Sequence, residues 1–243
     1  MRTLTDSVFT KGQEMPPMFK KGHYLMTTVK VLNVFQTKDQ ADSAHKAEAL
    51  IAQKADSLKA LEQIKADDKK LQDYFKQNNI DVSKLQKTTN GVYVEIFEPG
   101  AGNLIDTGVI VKTNYTGKTL DGKKLDSNTD PEFKHVEPFN VNLTSDMSLG
   151  YGVIQGWMEG MKLLRKGAKA KFYIPSPLGY GKQEPRPGLG ENAILIFDIE
   201  ILDVMSKEVG AAEIKAQQDR QMAQQRKYID SLKQLKAKDT LKK

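Results

Sequence analysis

Aromatic rings, one carboxylate and one helix start are what this chain offers for chemistry. Trp157, the single tryptophan, stands in Gly152-Val153-Ile154-Gln155-Gly156-Trp157, where a short helix begins. There it suits either a core side chain or a flat platform for an apolar ligand. Tyr180 lies between Gly179 and Gly181. These glycines permit a sharp turn, so the ring is either an ordinary loop aromatic or a hydroxyl presented to a carbonyl. Ile154 opens the helix, where a backbone N–H has no intrahelical partner and can donate to a peptide carbonyl. Asp126 closes a hairpin, a place where a carboxylate accepts an Asx-type bond from the following backbone. No serine or histidine is partnered for nucleophilic attack. Cysteine is absent, which excludes disulfides, thiol nucleophiles and Cys-ligated metals, and the three histidines (His23, His45, His135) are too scattered for a histidine-rich metal site. No cofactor is expected, and the chemistry left open is non-covalent.

The elements that must hold these residues follow from periodicity. Residues 114–127 read as strand, hairpin, strand, with Asp121-Gly122 at the turn because glycine accepts the positive φ of a tight hairpin. Residues 152–175 place a short helix between two breakers, with Ile154, Trp157, Met158, Met161 and Leu164 on its buried side and Lys166-Gly167 as its stop. After a Pro/Gly-rich loop, residues 191–204 carry an unbroken apolar centre, Ala193-Ile194-Leu195-Ile196-Phe197, that suits a buried central strand. The fold class is α+β: an antiparallel sheet wrapped on one short helix, with long flanking helical segments. Upstream, 36–79 holds no Gly or Pro, and Ala47, Ile51, Ala55, Leu58, Leu61, Ile64, Leu71 and Phe75 step by threes and fours, with Asp68 filling one step. That spacing predicts an amphipathic helix or helical pair. A polar helical composition returns at 206–243, with a weaker stripe of Ile214, Met222, Ile229, Leu232 and Leu235.

An internal repeat links the two ends. Residues 4–38 line up with 174–207: a Pro-bearing loop, a Gly-x-Glu or Gly-Lys-Gln-Glu turn, and a closing strand-like run, which in the first copy is 24–35. Each copy is followed by a helical segment carrying Asp-Ser-Leu-Lys-x-Leu, at 56–61 and 230–235. The alternative is the general likeness of all β-hairpins.

Tyr115-Thr116-Gly117, then Asp121-Gly122-Lys123-Lys124-Leu125-Asp126-Ser127, then Val153 to Gly160, Gly179-Tyr180-Gly181 and the closing run 195–202 follow one order and spacing. Over about 92–204 the chain resembles the FKBP-type peptidyl-prolyl cis-trans isomerases. The resemblance implies an apolar pocket for a prolyl peptide. Tyr115, Asp126, Ile154 and Tyr180 would be its catalytic groups, with Asp126 near the twisted amide. Leu125, Phe139, Val153, Trp157, Leu189 and Phe197 would line it, with Trp157 as floor. The family usually has Phe where Leu125 stands and a basic residue between Asp126 and Phe139 that pairs with the Asp. Here Asp130-Pro131-Glu132 occupies that stretch and no such partner is evident. The flap at 184–192, with Pro185, Arg186, Pro187 and Leu189, lacks the common double proline. The implied organisation is a partial FKBP-like remnant of closing strands (1–38), a helical linker (39–83), a complete FKBP-type domain (84–205) and a C-terminal helix (206–243). The implied activity is isomerisation of X–Pro bonds in protein folding, with a non-catalytic prolyl-peptide-binding module or chaperone as the alternative. Implied partners are unfolded or proline-containing polypeptides, macrolide immunophilin ligands and a second copy through the helices.

Charge adds exclusions. The 243 residues carry a formal charge of +6, from 37 Lys+Arg against 31 Asp+Glu. The excess is spread along helices and alternates with acids, which reads as solvated faces. Nucleic-acid binding would want a clustered basic face with stacking aromatics, and none is present. No apolar stretch is long enough for a transmembrane helix. Residues 1–17 do not read as a signal peptide. Tandem units with linking helices are similar to isomerases of bacterial envelopes, so periplasm or an outer-membrane lipoprotein is the expected location. Any export signal is then expected upstream, with Met1 internal or a truncated start.

Overall fold

The computed structural model describes residues 2–4, 20, 22–31, 33–150, 152–185 and 189–240. They fall into two units, Met1–Ala55 and Asp56–Lys243. In the first, strands β1 (Arg2–Leu4) and β2 (Tyr24–Met26) pair antiparallel. Helix α1 comprises Lys38–Gln77. The second unit then carries β3 (Leu85–Lys87), β4 (Tyr93–Glu98), β5 (Val109–Thr119), β6 (Lys124–Ser127) and β7 (Phe139–Asn142). Helix α2 (Gln155–Met161), β8 (Lys169–Ile174), β9 (Leu195–Ser206) and helix α3 (Lys207–Thr240) complete it. The seven-stranded sheet has the order β3-β4-β8-β9-β5-β6, with β7 beside β5. Every pairing in it is antiparallel.

The apolar run before and within β9 is unbroken because both faces of the sheet are covered. On one face Val94, Phe172, Ile174, Leu195 and Phe197 pack with Trp157, Met161 and Leu164 around α2. Their sequence neighbours Tyr93, Tyr173, Ile194 and Ile196 point the other way, onto Leu71 and Phe75 of α1. The period of two in the strands thus feeds two cores. Phe75 sits edge-on to Tyr173 at 4.9 Å and to Tyr93 at 5.2 Å between centroids. The hydrophobic gain of burying such a ring is about 1.5–3 kcal/mol. Asp68, the polar step in the α1 stripe, accepts hydrogen bonds from Lys87 Nζ (2.6 Å) and the Tyr93 hydroxyl (2.7 Å). Its place in the stripe is therefore a second tie between helix and sheet.

Close approach fixes α2. A Cβ on Gly156 would overlap Ile174, and one on Gly160 would overlap Phe172, so the helix can lie against β8 only with glycine at both positions. The Asp121-Gly122 turn forms as expected, with Gly122 at φ 86° and its N–H donating to Thr119 O at 3.0 Å. Register shifts in β5 between Lys112 and Thr113 and between Gly117 and Lys118 bend it, so its first half pairs with β7 and its second with β6.

Several expectations are corrected. The strand-like run 24–35 is a strand only at Tyr24–Met26. Its continuation has no regular structure among the described residues, and Val29, Val31 and Val34 are exposed. Alternation becomes a long strand in β9 because β5 and β8 flank it. Among the described residues of the first unit only three-residue β1 offers a partner. Most of the first copy's loop, at 1–19, lies outside the described residues, as do Arg186 and Pro187 of the flap. Met158 is exposed, since the helix ends at Met161 and its buried side is only Trp157 and Met161 with the two glycines. The second compact unit, Asp56–Lys243, takes in the end of α1, whose residues Asp67, Leu71 and Phe75 are buried. Upstream in α1, Leu50, Ile51, Leu58 and Leu61 stay exposed, so the stripe is buried only toward its end. No described helix is long and apolar enough to cross a membrane.

Candidate active site

Where β5, β6, β7, β9 and α2 converge, side chains enclose a cavity of about 270 Å³. Trp157 forms its floor, edge-on to Phe197 at 5.1 Å and to Tyr115 at 5.3 Å. Phe139 closes the aromatic ring, 5.8 Å from Tyr115 and 6.4 Å from Trp157. These perpendicular contacts place ring edges against ring faces, the arrangement the aromatic quadrupole favours, and they fix the rings before any ligand arrives. Leu125 and Leu189 add aliphatic wall, and Val153 and Ile154 line the entry to α2. Tyr180 stands on the loop after β8. The indole Nε1 of Trp157 is buried with no hydrogen-bond partner among the described residues.

Asp126 is the single carboxylate on the cavity wall among the described residues. Its Oδ2 accepts the Tyr115 hydroxyl at 3.0 Å, and Oδ1 accepts the Ser127 N–H at 3.1 Å. The imidazole Nε2 of His135 lies 2.7 Å from Oδ1. Asp126 therefore makes a local backbone bond and faces the cavity at once. The expectation that it lacks a basic partner is corrected: His135 is that partner. It is brought back by the 3₁₀ turn Pro131–Phe133 and by Lys134 in the left-handed region at φ 60°. Asn128, buried, fixes the same loop. Its Oδ1 accepts the Tyr115 N–H at 2.7 Å, and its Nδ2 donates to Thr113 O and Glu137 O, both at 3.0 Å.

Ile154 immediately precedes α2 with φ −56° and ψ 150°, outside helical geometry. Its carbonyl accepts the Trp157 N–H at 3.0 Å, while its own N–H lies ahead of the helical ladder.

The cavity thus combines an aromatic box, a held carboxylate and a helix-start amide. Residues 102–202 match the family described as FKBP-type peptidyl-prolyl cis-trans isomerase. Those residues are an FKBP-type domain. The chain is 34% identical over 139 residues to "FKBP-type peptidyl-prolyl cis-trans isomerase FkpA" of Escherichia coli, covering 57% of this chain and 46% of that protein. It is 37% identical over 123 residues to a Haemophilus influenzae protein named "Probable FKBP-type peptidyl-prolyl cis-trans isomerase", covering 51% and 46%. The chain thus spans about half the length of these curated relatives. Among solved structures it is similar to the crystal structure of FkpA from Escherichia coli, with 29% identity, 73% of this chain and 76% of that one covered, and a TM-score of 0.46.

All ten residues singled out in the sequence meet at the FKBP-type cavity: Tyr115, Asp126, Ile154, Tyr180, Leu125, Phe139, Val153, Trp157, Leu189 and Phe197. Sequence reasoning missed three supports. His135 and Asn128 hold Asp126 and Tyr115 as described; the only local signal was an Asn directly after the hairpin, a type that replaces backbone hydrogen-bonding partners. The third, Asp67 of α1, is wholly buried and accepts the Ser176 N–H at 2.8 Å and Oγ–H at 2.6 Å. Gln63 Nε2 donates to its other oxygen at 2.8 Å. Ser176 O in turn accepts the N–H groups of Gly179 (3.0 Å) and Gly181 (2.8 Å), on either side of Tyr180. A carboxylate on α1 thereby sets the loop that carries a cavity tyrosine.

Proposed function

We propose that this cavity binds an X–Pro segment of a polypeptide and accelerates its cis–trans isomerisation. The observation that carries the reading is the convergence of those ten side chains on one mostly apolar cavity with a single carboxylate on its wall among the described residues. Rotation about the peptide C–N bond faces a barrier of ~18–20 kcal/mol because the planar amide is resonance-stabilised. In the twisted amide that resonance and its charge separation are reduced, so a dry apolar site favours the twisted form over the planar one. The prolyl ring would lie over the Trp157 indole. The Ile154 N–H and the Tyr180 hydroxyl would hold peptide carbonyls, which fixes the chain in a turn and supplies orientation. Asp126, kept in place by Tyr115, Ser127 and His135, would face the rotating amide. Each ~1.4 kcal/mol of preference for the twisted form gives about a factor of ten in rate, so a few contacts suffice without a covalent step.

A protease-coupled assay on a chromogenic Xaa-Pro peptide tests this. A rate gain with wild type that falls in Tyr180→Ala supports it; no gain from wild type refutes it. Leu125, which leaves one wall aliphatic, favours the second reading, a prolyl-peptide-binding module or chaperone without turnover. The clients would be unfolded or proline-containing polypeptides, and a macrolide immunophilin ligand would fit the same cavity. The bacterial relatives support a place in the bacterial cell envelope, as a periplasmic protein or an outer-membrane lipoprotein. The functional domain would comprise 84–205 with the end of α1, residues 1–38 a partial second FKBP-like unit, and the exposed part of the α1 stripe a contact for a second copy.

A further inference from the structure

Helix α3 lies beyond the residues that match the family, yet its first turns are anchored to the FKBP-type domain. Lys207 Nζ pairs with Asp146 at 2.8 Å, Lys112 Nζ with Glu213 at 2.8 Å, and Asn140 Nδ2 donates to Gln217 Oε1 at 3.0 Å. Gly210 packs so closely on Ile110 that any Cβ there would overlap it. Between the anchored helix and the loop 134–138 runs a groove of about 450 Å³. Its helix wall is Gln217, Gln221 and Gln224, and its floor includes Tyr115 and Phe139. Those two rings also line the prolyl cavity, so groove and cavity lie side by side on a shared aromatic wall.

We propose that this groove is a second subsite for polypeptide, holding the extended segment that flanks the proline. The inference rests on the prolyl-pocket reading and adds a substrate length to it. Residues at 217, 221 and 224 follow the i, i+4, i+7 spacing that places side chains on one helix face. From the first to the last is roughly 10 Å along the axis, the span of about three residues of extended chain. Gln217 is held at both ends of its amide, by Asn140 and Glu137, while Gln221 and Gln224 present amides whose donor and acceptor types match those of an unpaired peptide backbone. Glu137, on the opposite wall, accepts Gln217 Nε2 at 3.0 Å and Gln221 Nε2 at 3.4 Å. Those bonds, with Arg220 nearby, hold its carboxyl below the usual range. With Nε2 donating to Glu137, Gln221 offers its Oε1 as the acceptor for a backbone N–H.

The test uses the full chain and fluorescence of its single tryptophan, Trp157, at the cavity floor. Three peptides are titrated: Ala-Leu-Pro-Phe, the same core extended by about three alanine-rich residues at its N-terminus, and the core extended likewise at its C-terminus. Extension at one end is expected to tighten binding to wild type about tenfold, the equivalent of ~1.4 kcal/mol. In Gln221→Ala/Gln224→Ala the gain from extension is expected to fall below about threefold, and in Gln221→Glu/Gln224→Glu likewise, since two acceptors without donors cannot pair both backbone groups. A tetrapeptide that binds as tightly as both extended forms overturns the groove and leaves the pocket standing. A gain that persists in the double alanine variant also overturns it. If none of the three peptides binds, the pocket reading and this inference fall together.

Discussion

Replacing Asp126 by alanine is the most informative single change in the cavity. The carboxylate accepts hydrogen bonds from Tyr115 (3.0 Å) and Ser127 (3.1 Å) and meets His135 at 2.7 Å. In Asp126→Ala the Tyr115 hydroxyl loses this acceptor, and the cavity wall loses its single carboxylate among the described residues. A hydrogen bond to a charged group is worth ~1.5–3 kcal/mol. Spent wholly on the transition state, that lowers kcat/KM by roughly 10- to 100-fold. His135→Ala removes only the outer partner. Its side chain is 48% exposed, and exposed ion pairs are worth ~0–1 kcal/mol, so the loss of activity is expected to stay below about fivefold. The thermal midpoint of His135→Ala is expected to move by at most ~2–4 °C. The assay is protease-coupled turnover of an Ala-Leu-Pro-Phe chromogenic peptide, with unfolding followed by fluorescence. Asp126→Ala within about threefold of wild type would refute the role given to the carboxylate. A His135→Ala defect as large as that of Asp126→Ala would move the role to the imidazole.

Three further outcomes are expected. Asp67→Ala leaves the Ser176 N–H and hydroxyl without their buried acceptor, at a cost of about 1–3 kcal/mol, and loosens the Tyr180 loop; thermal unfolding and KM for the tetrapeptide should both shift, and a KM equal to wild type would sever α1 from the site. Phe75→Ala empties the space against Tyr93 and Tyr173 and is expected to cost ~3–5 kcal/mol in denaturant unfolding; a loss under ~1 kcal/mol would show that α1 is not part of the domain. Burial pushes the Asp68 carboxyl up, but hydrogen bonds from Lys87 and Tyr93 outweigh it and hold the group below its usual value of 3.8. The folded-state value being the lower one, this stabilisation is full above the unfolded value and is lost as pH falls through the folded one. Unfolding at a series of pH values below about 5 should therefore show a shallower acid loss in Lys87→Met than in wild type, and parallel curves would contradict it.

Much of the site was legible because it is carried by local motifs. The hairpin around Asp121-Gly122 places Tyr115 and Asp126 on neighbouring strands, and the two glycines of α2 bring Trp157 to the sheet. What could not be read is non-local. His135 reaches Asp126 only because Lys134 takes a left-handed turn, and Asp67 meets Ser176 across 109 residues of sequence. The α1 periodicity revealed a helix but not which stretch of its stripe is covered: Leu71 and Phe75 find aromatic partners on the sheet, while Leu58 and Leu61 find none that bury them. The run 24–35 misled because alternation describes how a strand would fit a sheet, and the long strands that flank β9 have no counterpart among the described residues there.

Exchange spectroscopy on a prolyl tetrapeptide tests the central claim most directly, since it needs no coupled protease. Unaided, the cis and trans resonances interconvert over tens to hundreds of seconds. With a catalytic amount of the chain, exchange cross-peaks between the two prolyl isomers are expected within about a second. They should weaken sharply in Asp126→Ala. Exchange that stays at the unaided rate, while Trp157 fluorescence reports bound peptide, would contradict the isomerase account and leave a binding module in its place.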